Sequence, residues 1–413
     1  MTGDVRSFHV SEPVDVLLVG IGGYGSYYLR ELEHLPQARL CAVVDPMAER
    51  STDWPALEAA GIPCYPSIEG FLEAGGTAEL AVIVSPIAFH AEHVCLALAA
   101  GMHVLCEKPV SPTLAEAQRM VRARDAAGRF LEIGYQWSYS PAIQMLKADA
   151  IGGRLGDARR FLTYVGWPRS GSYYRRNNWA GCVHDQQGRI VYDSPVNNAT
   201  AHFLHNMLYV AGASVARAAT PVQLEAESYR ANRIANYDTA CCRVHTAEGC
   251  EILFYTSHAV ERYQGPVFRF EFEWASIEYS SGGQIIAHFK DGRRKNYGDP
   301  EADAFRKLRY CLQRCREPER HPSLCGPEAA MSHTACVEAM QAVPVVSFPE
   351  EMLRHSEINP DDVLVYLPRL NDTMHTAFSR GVLFSELGLP WTVPATTVEM
   401  SVEQPFLVPE IGG

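Results

Sequence analysis

The sequence predicts an α/β protein with two domains: an N-terminal Rossmann domain built on a doubly wound parallel sheet, and a C-terminal α+β domain built on a large, mainly antiparallel open sheet. Three observations support this prediction. The glycine motif Gly20-Ile21-Gly22-Gly23-Tyr24-Gly25 lies between a strand-like run and a helix-like one. Short apolar runs alternate with helix-length amphipathic stretches up to about Tyr135, and long β-type runs follow it. Strands and helices in alternation indicate parallel pairing through crossover helices.

The first third of the chain contains the strands and helices expected of a doubly wound sheet. Strand-like runs extend over residues 14–19, 40–44, 80–84, 103–106 and 130–133, and helix-like spacing over 24–34 and 88–100. Gly101 is predicted to end the second helix, because glycine readily takes the left-handed conformation common at that position. We assign residues 1–134 to this domain.

The remaining chain is predicted to form the α+β domain, residues 135–345, and a C-terminal extension, residues 346–413. Helices are expected over 141–150 and 327–343, and strands over 159–164, 239–246, 251–257 and 267–279. In the last of these runs Phe268, Phe270, Phe272 and Trp274 alternate with other residues, which predicts one strand with one buried face. The extension is rich in proline and lacks a long period, so we expect it to wrap around the domain.

Composition and charge exclude several classes of partner. The 413 residues carry a formal net charge of −12 and no long basic cluster, which argues against nucleic acid or an anionic membrane as the partner. No apolar stretch reaches the roughly 20 residues of a membrane-spanning helix, and the first residues lack signal-peptide features, so we expect a cytoplasmic protein. The 12 cysteines are scattered, which is typical of buried reduced thiols and predicts no metal site.

The glycine motif and an acid after the second strand predict a dinucleotide site. Glycine at position 20 permits a tight turn, at 22 it lets backbone amides approach a pyrophosphate, and at 25 it lets helix and strand pack closely. Gly23 and Tyr24 complete the predicted phosphate contacts at the helix start, where N–H groups are unpaired. Asp45 lies 20 residues after Gly25 (45 − 25), where a carboxylate accepts from ribose hydroxyls and repels a 2′-phosphate. NAD is therefore favoured over NADP; the alternative is a structural glycine turn beside a solvated aspartate.

Several segments together resemble one protein family. They comprise Ser85-Pro86, His90, the run from Gly101 to Pro109 with Glu107-Lys108-Pro109 at its end, Gly134-Tyr135-Gln136-Trp137 with Pro141, and Asn236-Tyr237-Asp238-Thr239. Over residues 14–340 the chain resembles the glucose–fructose oxidoreductase, inositol dehydrogenase and rhizopine catabolism (Gfo/Idh/MocA) family.

The resemblance implies a Rossmann domain followed by an open-sheet domain. The substrate would lie between the two domains, and the C-terminal sheet would serve as the interface of a homodimer or homotetramer. A cis Lys108–Pro109 bond is also implied. Beyond the glycine motif and Asp45, the implied cofactor contacts are Ser85, Pro86, His90, Glu107, Lys108 and Gln136.

Lys108 is the predicted catalytic lysine. It follows a parallel strand at its C-terminal end, which is where ligands bind in open α/β sheets. Its ammonium group would hydrogen-bond the reacting hydroxyl and lower the pKa of that hydroxyl, while Glu107 would hold the lysine or the nicotinamide side. The alternative for Lys108 is a solvated charge at a strand end.

A second set of catalytic candidates lies in the C-terminal domain. The resembling enzymes carry an aspartate four residues before a histidine, and here Asn198 and His202 match that pair, with His205 in place of a second acid. We expect His202 to move the proton, with Asn198 binding substrate hydroxyls. The other interpretation is altered chemistry in which Asp193 restores a carboxylate. The alternative to any catalytic role is that His202 and His205 are simply residues packed within a helix.

Substrate binding is predicted for the segment Tyr173-Tyr174-Arg175-Arg176-Asn177-Asn178-Trp179. Aromatic faces suit the C–H surfaces of sugars, and the polar side chains suit their hydroxyls. We select Arg176 and Trp179, together with Lys108, Asn198 and His202, as substrate contacts. The alternative is an aromatic cluster that fills a core beside solvated arginines.

The sequence therefore predicts an NAD-dependent oxidoreductase that interconverts a secondary alcohol and a ketone on a sugar, cyclitol or related polyol. One alternative is an NAD-dependent glycosidase or glycoside lyase that oxidises its sugar transiently. The other is a non-catalytic regulator that senses NAD and a sugar. The sugar, the carbon and the direction of reaction stay open.

Overall fold

The N-terminal sheet is doubly wound and parallel, as the alternating runs predict. The structure, a computed structural model, describes residues 12–400. The strands of the first sheet are β1 (Val14–Val19), β2 (Ala38–Val44), β3 (Cys64–Tyr65), β4 (Leu80–Ile83), β5 (His103–Cys106) and β6 (Leu131–Ile133). All their pairs are parallel, in the spatial order β3-β2-β1-β4-β5-β6. The order reverses beside β1, so the ends of β1 and β4 border the crevice where such sheets bind ligands.

Five helices connect the strands of this sheet among the described residues, and three of them were not predicted. They are α1 (Gly25–Glu33), α2 (Trp54–Ala59), α3 (Ile68–Glu73), α4 (His90–Ala99) and α5 (Leu114–Ala127). Helices α1 and α4 lie within the predicted helical stretches. Sequence periodicity missed α5 because only Ala117, Met120 and Val121 of its 14 residues are buried, which leaves a weak apolar stripe. Its ends carry local signals instead: the Thr113 hydroxyl caps the first turn, and Gly128 ends the helix in the left-handed conformation.

The second sheet is large, mixed and mainly antiparallel, as predicted. Its strands are β7 (Ala158–Gly166), β8 (Pro221–Arg230), β9 (Thr239–Thr246), β10 (Glu251–Ser257), β11 (Gln264–Phe272), β12 (Ala275–Ser280), β13 (Ile285–Phe289), β14 (Arg294–Gly298), β15 (Val345–Ser347) and β18 (Thr396–Glu399). Two further strands, β16 (Arg354–Asn359) and β17 (Asp362–Tyr366), form a separate hairpin. The order is β14-β13-β12-β11-β7-β10-β9-β8-β15, and β18 also pairs with β8. In this second sheet, only the β10–β7 and β15–β8 pairs are parallel among the described residues.

The prediction of a single strand over residues 267–279 is wrong, because two strands occupy this range. The chain turns between β11 and β12, and these two strands pair with each other. At the turn the amides of Glu273 and Trp274 donate to the carbonyls of Asp157 and Leu155, at 2.8 and 2.9 Å. Trp274, expected on the buried face, is 51% exposed as a result. The alternation continued through the turn by coincidence, so periodicity alone could not locate it.

The described chain after residue 134 contains six α-helices, and three of them cover one face of the second sheet. The six are α6 (Pro141–Ile151), α7 (Gly171–Arg175), α8 (Ala201–Ala211), α9 (Arg306–Arg316), α10 (Pro327–Met340) and α11 (Leu370–Arg380). Helices α6, α8 and α10 pack together against this face. Helix α9 instead returns to the first sheet, where Leu308, Cys311 and Leu312 join the core of the Rossmann domain. The two domains therefore share a buried seam that α9 helps to close.

The C-terminal segment packs on the opposite face of the second sheet. It contains helix α11, the β16–β17 hairpin and strand β18, although the sequence showed no long period there. Leu253, Tyr255 and Tyr229 of the sheet form a buried cluster with Phe378 and Trp391 from this segment. The interface predicted for a homodimer or homotetramer cannot use this covered part of the sheet. The uncovered strands β12 to β14 carry polar residues on their outward side.

The described residues contain neither a membrane-spanning helix nor a metal cluster. No helix within residues 12–400 has the length and apolarity needed to cross a membrane. All twelve cysteines lie in that range and are unpaired. Residues 12–400 contain no group of three or more His, Cys, Asp or Glu side chains arranged to hold a metal ion.

Candidate active site

The glycine loop leads from β1 into α1 at the carboxyl edge of the first sheet. A side chain at Gly20 would lie 2.9 Å from the backbone of Val84 and Ser85, and one at Gly25 would collide with the Gly20 carbonyl. By contrast, a Cβ at Gly22 would meet nothing within 4 Å. Close packing thus requires glycine at positions 20 and 25, whereas the space beside Gly22 is open.

The open space beside Gly22 fits a dinucleotide phosphate. No described residue accepts from the amides of Gly22, Gly23 and Tyr24, and no side chain caps the first turn of α1. Unpaired amides at a helix start carry partial positive charge and bind anions. The residues present therefore fit the phosphates of NAD.

Asp45 follows β2 and lies beside the glycine loop. Its Oδ2 accepts from the Ile21 amide at 3.0 Å, and its Oδ1 accepts from the Met47 amide at 2.8 Å. A carboxylate oxygen can accept more than one hydrogen bond, so these bonds leave capacity for ribose hydroxyls. Asp45 thus holds the glycine loop in place. The ribose contact stays a further prediction for the same carboxylate.

Ser85, Pro86 and His90 lie next to the glycine loop, after β4. Pro86 is exposed, whereas His90 is buried and places Nδ1 2.8 Å from the Pro109 carbonyl and Nε2 2.9 Å from the Ser85 carbonyl. Because both ring nitrogens face backbone oxygens, His90 ties the loop after β4 to the loop after β5. Its contact with the cofactor stays a prediction.

Glu107 lies buried at the end of β5 and pairs with a residue that the sequence did not single out. Its Oε1 accepts from the Tyr28 hydroxyl at 2.6 Å and forms an ion pair with Lys307 on α9. Although burial opposes ionisation, the charge and hydrogen bond of Lys307 lower the pKa of Glu107. Oε2 accepts from the Lys108 backbone amide at 3.1 Å, so Glu107 holds the main chain of Lys108 and not its ammonium group.

Lys108 follows Glu107 in a cis peptide bond to Pro109, as the resemblance implies. Its Nζ donates to the Asn198 carbonyl at 2.8 Å and lies 3.3 Å from Asn198 Oδ1. Burial lowers the pKa of Lys108 to about 8, with the charges of Lys307 and Arg176 acting in the same direction. The lysine is thus held by the second domain at the carboxyl edge of the first sheet, with a protonation equilibrium close to neutral pH.

Asp193 reaches this lysine through Asn198. Asn198 Nδ2 donates to Asp193 Oδ1 at 2.8 Å, and the Gly181 amide donates to Asp193 Oδ2 at 2.6 Å. Burial raises the pKa of Asp193. The carboxylate weighed as a support for His202 therefore hydrogen-bonds Asn198 instead, and through it contacts Lys108.

His202 lies on α8, but Asn198 does not. Asn198 belongs to the turn before the helix, which begins at Ala201, so the helical face expected to join Asn198 and His202 is not formed. The Nδ1 atom of His202 is buried without a hydrogen-bond partner. Burial, reinforced by the charges of Lys108 and Lys307, lowers the pKa of His202 well below its ordinary value. The imidazole is therefore neutral near pH 7.

The neighbours of His202 form a buried aromatic cluster. Tyr135 stacks on His205 with ring centroids 3.8 Å apart and meets His202 edge-on at 5.9 Å. The Tyr135 hydroxyl lies 3.0 Å from His333 Nδ1, and His333 Nε2 lies 2.9 Å from the Val196 carbonyl. These contacts place His205 in the core and hold the ring of Tyr135 beside His202.

The remaining predicted residues border the same region. Gln136 is partly exposed in the turn after β6. The Arg176 guanidinium lies 3.6 Å from the centre of the Tyr173 ring and 5.5 Å from that of Trp179. Trp179 lies two residues before Gly181, whose amide donates to Asp193, and Asp193 connects through Asn198 to Lys108.

Lys307 is the main residue that the sequence reasoning missed. It lies one turn before Cys311 on the buried side of α9, a helix that was not predicted. A lysine within an otherwise apolar helical stripe, beside Leu308 and Leu312, was the available signal. Its acidic partner, Glu107, is 200 residues away in the chain, so no local pattern could pair them.

Comparisons with known proteins agree with this architecture. Residues 14–135 match the model of the oxidoreductase family GFO_IDH_MocA, described as an NAD-binding Rossmann fold. The chain is 35% identical over 149 residues to inositol 2-dehydrogenase of Streptomyces avermitilis, a match that covers 36% of this chain and 43% of the relative. It is 32% identical over 143 residues to the rhizopine catabolism protein MocA of Rhizobium meliloti, covering 34% and 43%. The chain thus spans less than half the length of these curated relatives.

A solved structure with the same fold covers both domains. The WlbA dehydrogenase from Bordetella pertussis, determined in complex with NADH and UDP-GlcNAcA, superposes with a TM-score of 0.66. The two chains are 20% identical, and the match covers 80% of this chain and 96% of that one. At this identity the similarity establishes the fold.

Proposed function

We propose that this protein, whose residues 14–135 match the model of the GFO_IDH_MocA oxidoreductase family, is an NAD-dependent oxidoreductase of a sugar, cyclitol or related polyol. It interconverts a secondary alcohol and a ketone. The observation that supports this most directly is Lys108: an amine with a pKa of about 8 at the carboxyl end of β5, on the same sheet edge as the glycine loop. The names of the relatives, inositol 2-dehydrogenase among them, support a polyol substrate.

The cofactor would be held by the glycine loop, by the open amides of Gly22, Gly23 and Tyr24, and by Asp45. When bound, NAD supplies the acceptor or donor of the hydride. NAD is proposed over NADP because the Asp45 carboxylate is fixed by two backbone amides at the end of β2, where it would repel a 2′-phosphate.

Lys108 is proposed as the group that exchanges the proton with the substrate oxygen. A catalytic acid or base is most effective when its pKa is close to the working pH, and Lys108 meets this condition. As a neutral amine it accepts the hydroxyl proton during oxidation, and as an ammonium group it returns the proton during reduction. The Asn198 carbonyl and side chain keep Nζ in one position, with Asn198 in turn held by Asp193.

His202 takes a different role from the one that the sequence favoured. Its lowered pKa makes it a weak base, so proton transfer passes to Lys108. As a neutral imidazole beside Tyr135, His202 is suited to hydrogen-bond the substrate oxygen and orient it. His205 is proposed as a core residue.

Reduction of NAD, followed by absorbance with a panel that includes myo-inositol, glucose and glucuronate, tests this function. We expect NADH to accumulate with at least one polyol, and Lys108→Met to lower the rate by about 100-fold or more. Lys290→Met is the matched control, because Lys290 is an exposed lysine on the turn between β13 and β14. Full activity of Lys108→Met on a confirmed substrate would show that the mechanism is wrong.

The same assay separates the two alternatives. A glycosidase or lyase that oxidises its sugar transiently would consume glycosides without accumulating NADH. A regulator would bind NAD and a sugar without turning either over.

A further inference from the structure

A row of alternating cations and aromatic rings lies in the segment before Gly181, whose amide donates to Asp193, the acid that contacts Lys108 through Asn198. We call it the arginine–aromatic strip and define it as Arg169, Tyr173, Arg176 and Trp179. The guanidinium carbons of Arg169 and Arg176 lie 4.9 and 3.6 Å from the centre of the Tyr173 ring, and Arg176 also lies 5.5 Å from that of Trp179. The sequence suggested Arg176 and Trp179 for neutral sugar hydroxyls, but it gave no reason to include Arg169.

The two arginines of the strip have no acidic partner. Within residues 12–400, no carboxylate lies within 4.0 Å of either guanidinium. Arg169 donates to the Tyr263 hydroxyl at 3.0 Å, and its Nε is buried without a partner; Arg176 donates to the Tyr173 carbonyl at 2.8 Å. Their neighbour Arg175 differs, because it lies 3.8 Å from Asp362. Neither guanidinium of the strip therefore forms an ion pair with a carboxylate in the described part of the chain.

The surroundings add to this positive charge. Lys108 is a third cation, and the charge of Arg176 acts on its pKa. The acid beside them, Asp193, is buried and already accepts from the Gly181 amide and Asn198 Nδ2. Three cations, Lys108, Arg169 and Arg176, thus accompany one acid, Asp193, in contrast with the net charge of −12 of the whole chain. Such an excess of positive charge concentrates anions.

We infer that the substrate carries an anionic group, a carboxylate or a phosphate, which binds Arg169 and Arg176 while its carbinol lies at Lys108. This inference rests on the proposed function and names the substrate class. A guanidinium stacked on an aromatic ring keeps its edge N–H groups free for two oxygens of one anion. An open groove lined by Trp167, Arg169 and Tyr263 among others lies next to Arg169, at one end of the strip.

Matched substrates test the inference on the NAD-bound protein. The panel is glucose, glucuronate and glucose-6-phosphate, with kcat/KM measured by NADH absorbance and binding measured by calorimetry. We expect one of the two anions to exceed glucose by at least about tenfold, and Arg176→Gln to remove that preference, because a hydrogen bond to a charged group is lost. The comparison of glucuronate with glucose-6-phosphate distinguishes a carboxylate from a phosphate.

Arg294→Gln is the control variant, because it makes the same change of net charge at an exposed residue of β14. The inference is overturned if glucose is turned over as well as both anions, or if Arg176→Gln keeps the preference; the proposed function then stands. If an anion binds through Arg176 but NADH never forms, the inference stands and the proposed function fails. If no member of the panel binds or reacts, both fail.

Discussion

Replacement of Lys307 by methionine tests the buried ion pair that joins α9 to the end of β5. Lys307 and Glu107 are only 1% and 6% exposed, and their charges lie against each other. The variant leaves Glu107 buried without its counter-charge. Two weaker partners remain, the Tyr28 hydroxyl at 2.6 Å and the Lys108 amide at 3.1 Å.

The expected loss of stability follows from this burial. Removal of one member of a buried pair costs about 3–5 kcal/mol, because the remaining charge has lost its solvation and its partner. The two remaining donors place the loss at the lower end, about 3 kcal/mol. Combining Lys307→Met with Glu107→Gln should recover at least half of that loss, since a neutral amide needs no counter-charge.

Chemical denaturation followed by tryptophan fluorescence measures the change in unfolding free energy. Arg39→Gln is the control, because Arg39 is 65% exposed in its ion pair with Asp15 and should contribute at most about 1 kcal/mol. Lys307→Met should also move the pH midpoint of activity above about 8, since the charge of Lys307 lowers the pKa of Lys108. A loss equal to that of Arg39→Gln, with an unchanged midpoint, would refute this reasoning.

Three further predictions concern the cofactor, a buried lysine and the C-terminal segment. Asp45→Ser should weaken NAD binding by about tenfold or more and reduce the ratio of NAD affinity to NADP affinity. The control Glu49→Gln should change neither the affinity nor the ratio, as measured by titration with each dinucleotide. Lys147 is buried and donates to the carbonyls of Tyr209 and Arg217, and burial lowers its pKa to about 7 from 10.5. The unfolded state therefore binds the proton more tightly, so stability should rise with pH between these two values by at most about 1.4 kcal/mol per pH unit, and Lys147→Met should remove that slope in denaturation curves. Deletion of residues 346–413 should expose the apolar cluster on the sheet and cause aggregation in light scattering; a soluble variant with unchanged stability would contradict this.

The sequence was sufficient to place the glycine loop, Asp45 and Lys108 at the edge of the first sheet, because each comes just after a strand in the chain. A strand, a tight turn and a helix in succession place Gly20 to Gly25, and parallel strands bring the residues after them to one edge. Helices α5 and α9 were among those missed, because they bury only three and four residues. The split between β11 and β12 was missed because the alternation of residues continued through the turn.

The contacts between distant residues could not be read from the sequence. Lys307 and Glu107 pair across the domain seam, and Asp193 approaches Lys108 through Asn198 rather than His202. The pKa values of Lys108 and His202 depend on burial by residues from both domains, which no spacing reveals. The part of the second sheet covered by the C-terminal segment likewise depends on tertiary packing.

The pH dependence of alcohol oxidation tests the role of Lys108 most directly. With a confirmed substrate and saturating NAD, the rate should rise with pH as the ammonium group loses its proton, with a midpoint of about 8. Lys108→Met should lack both the activity and this midpoint. A midpoint at the ordinary histidine value of about 6.5, retained when Lys108 is replaced, would contradict the account and return the proton to His202.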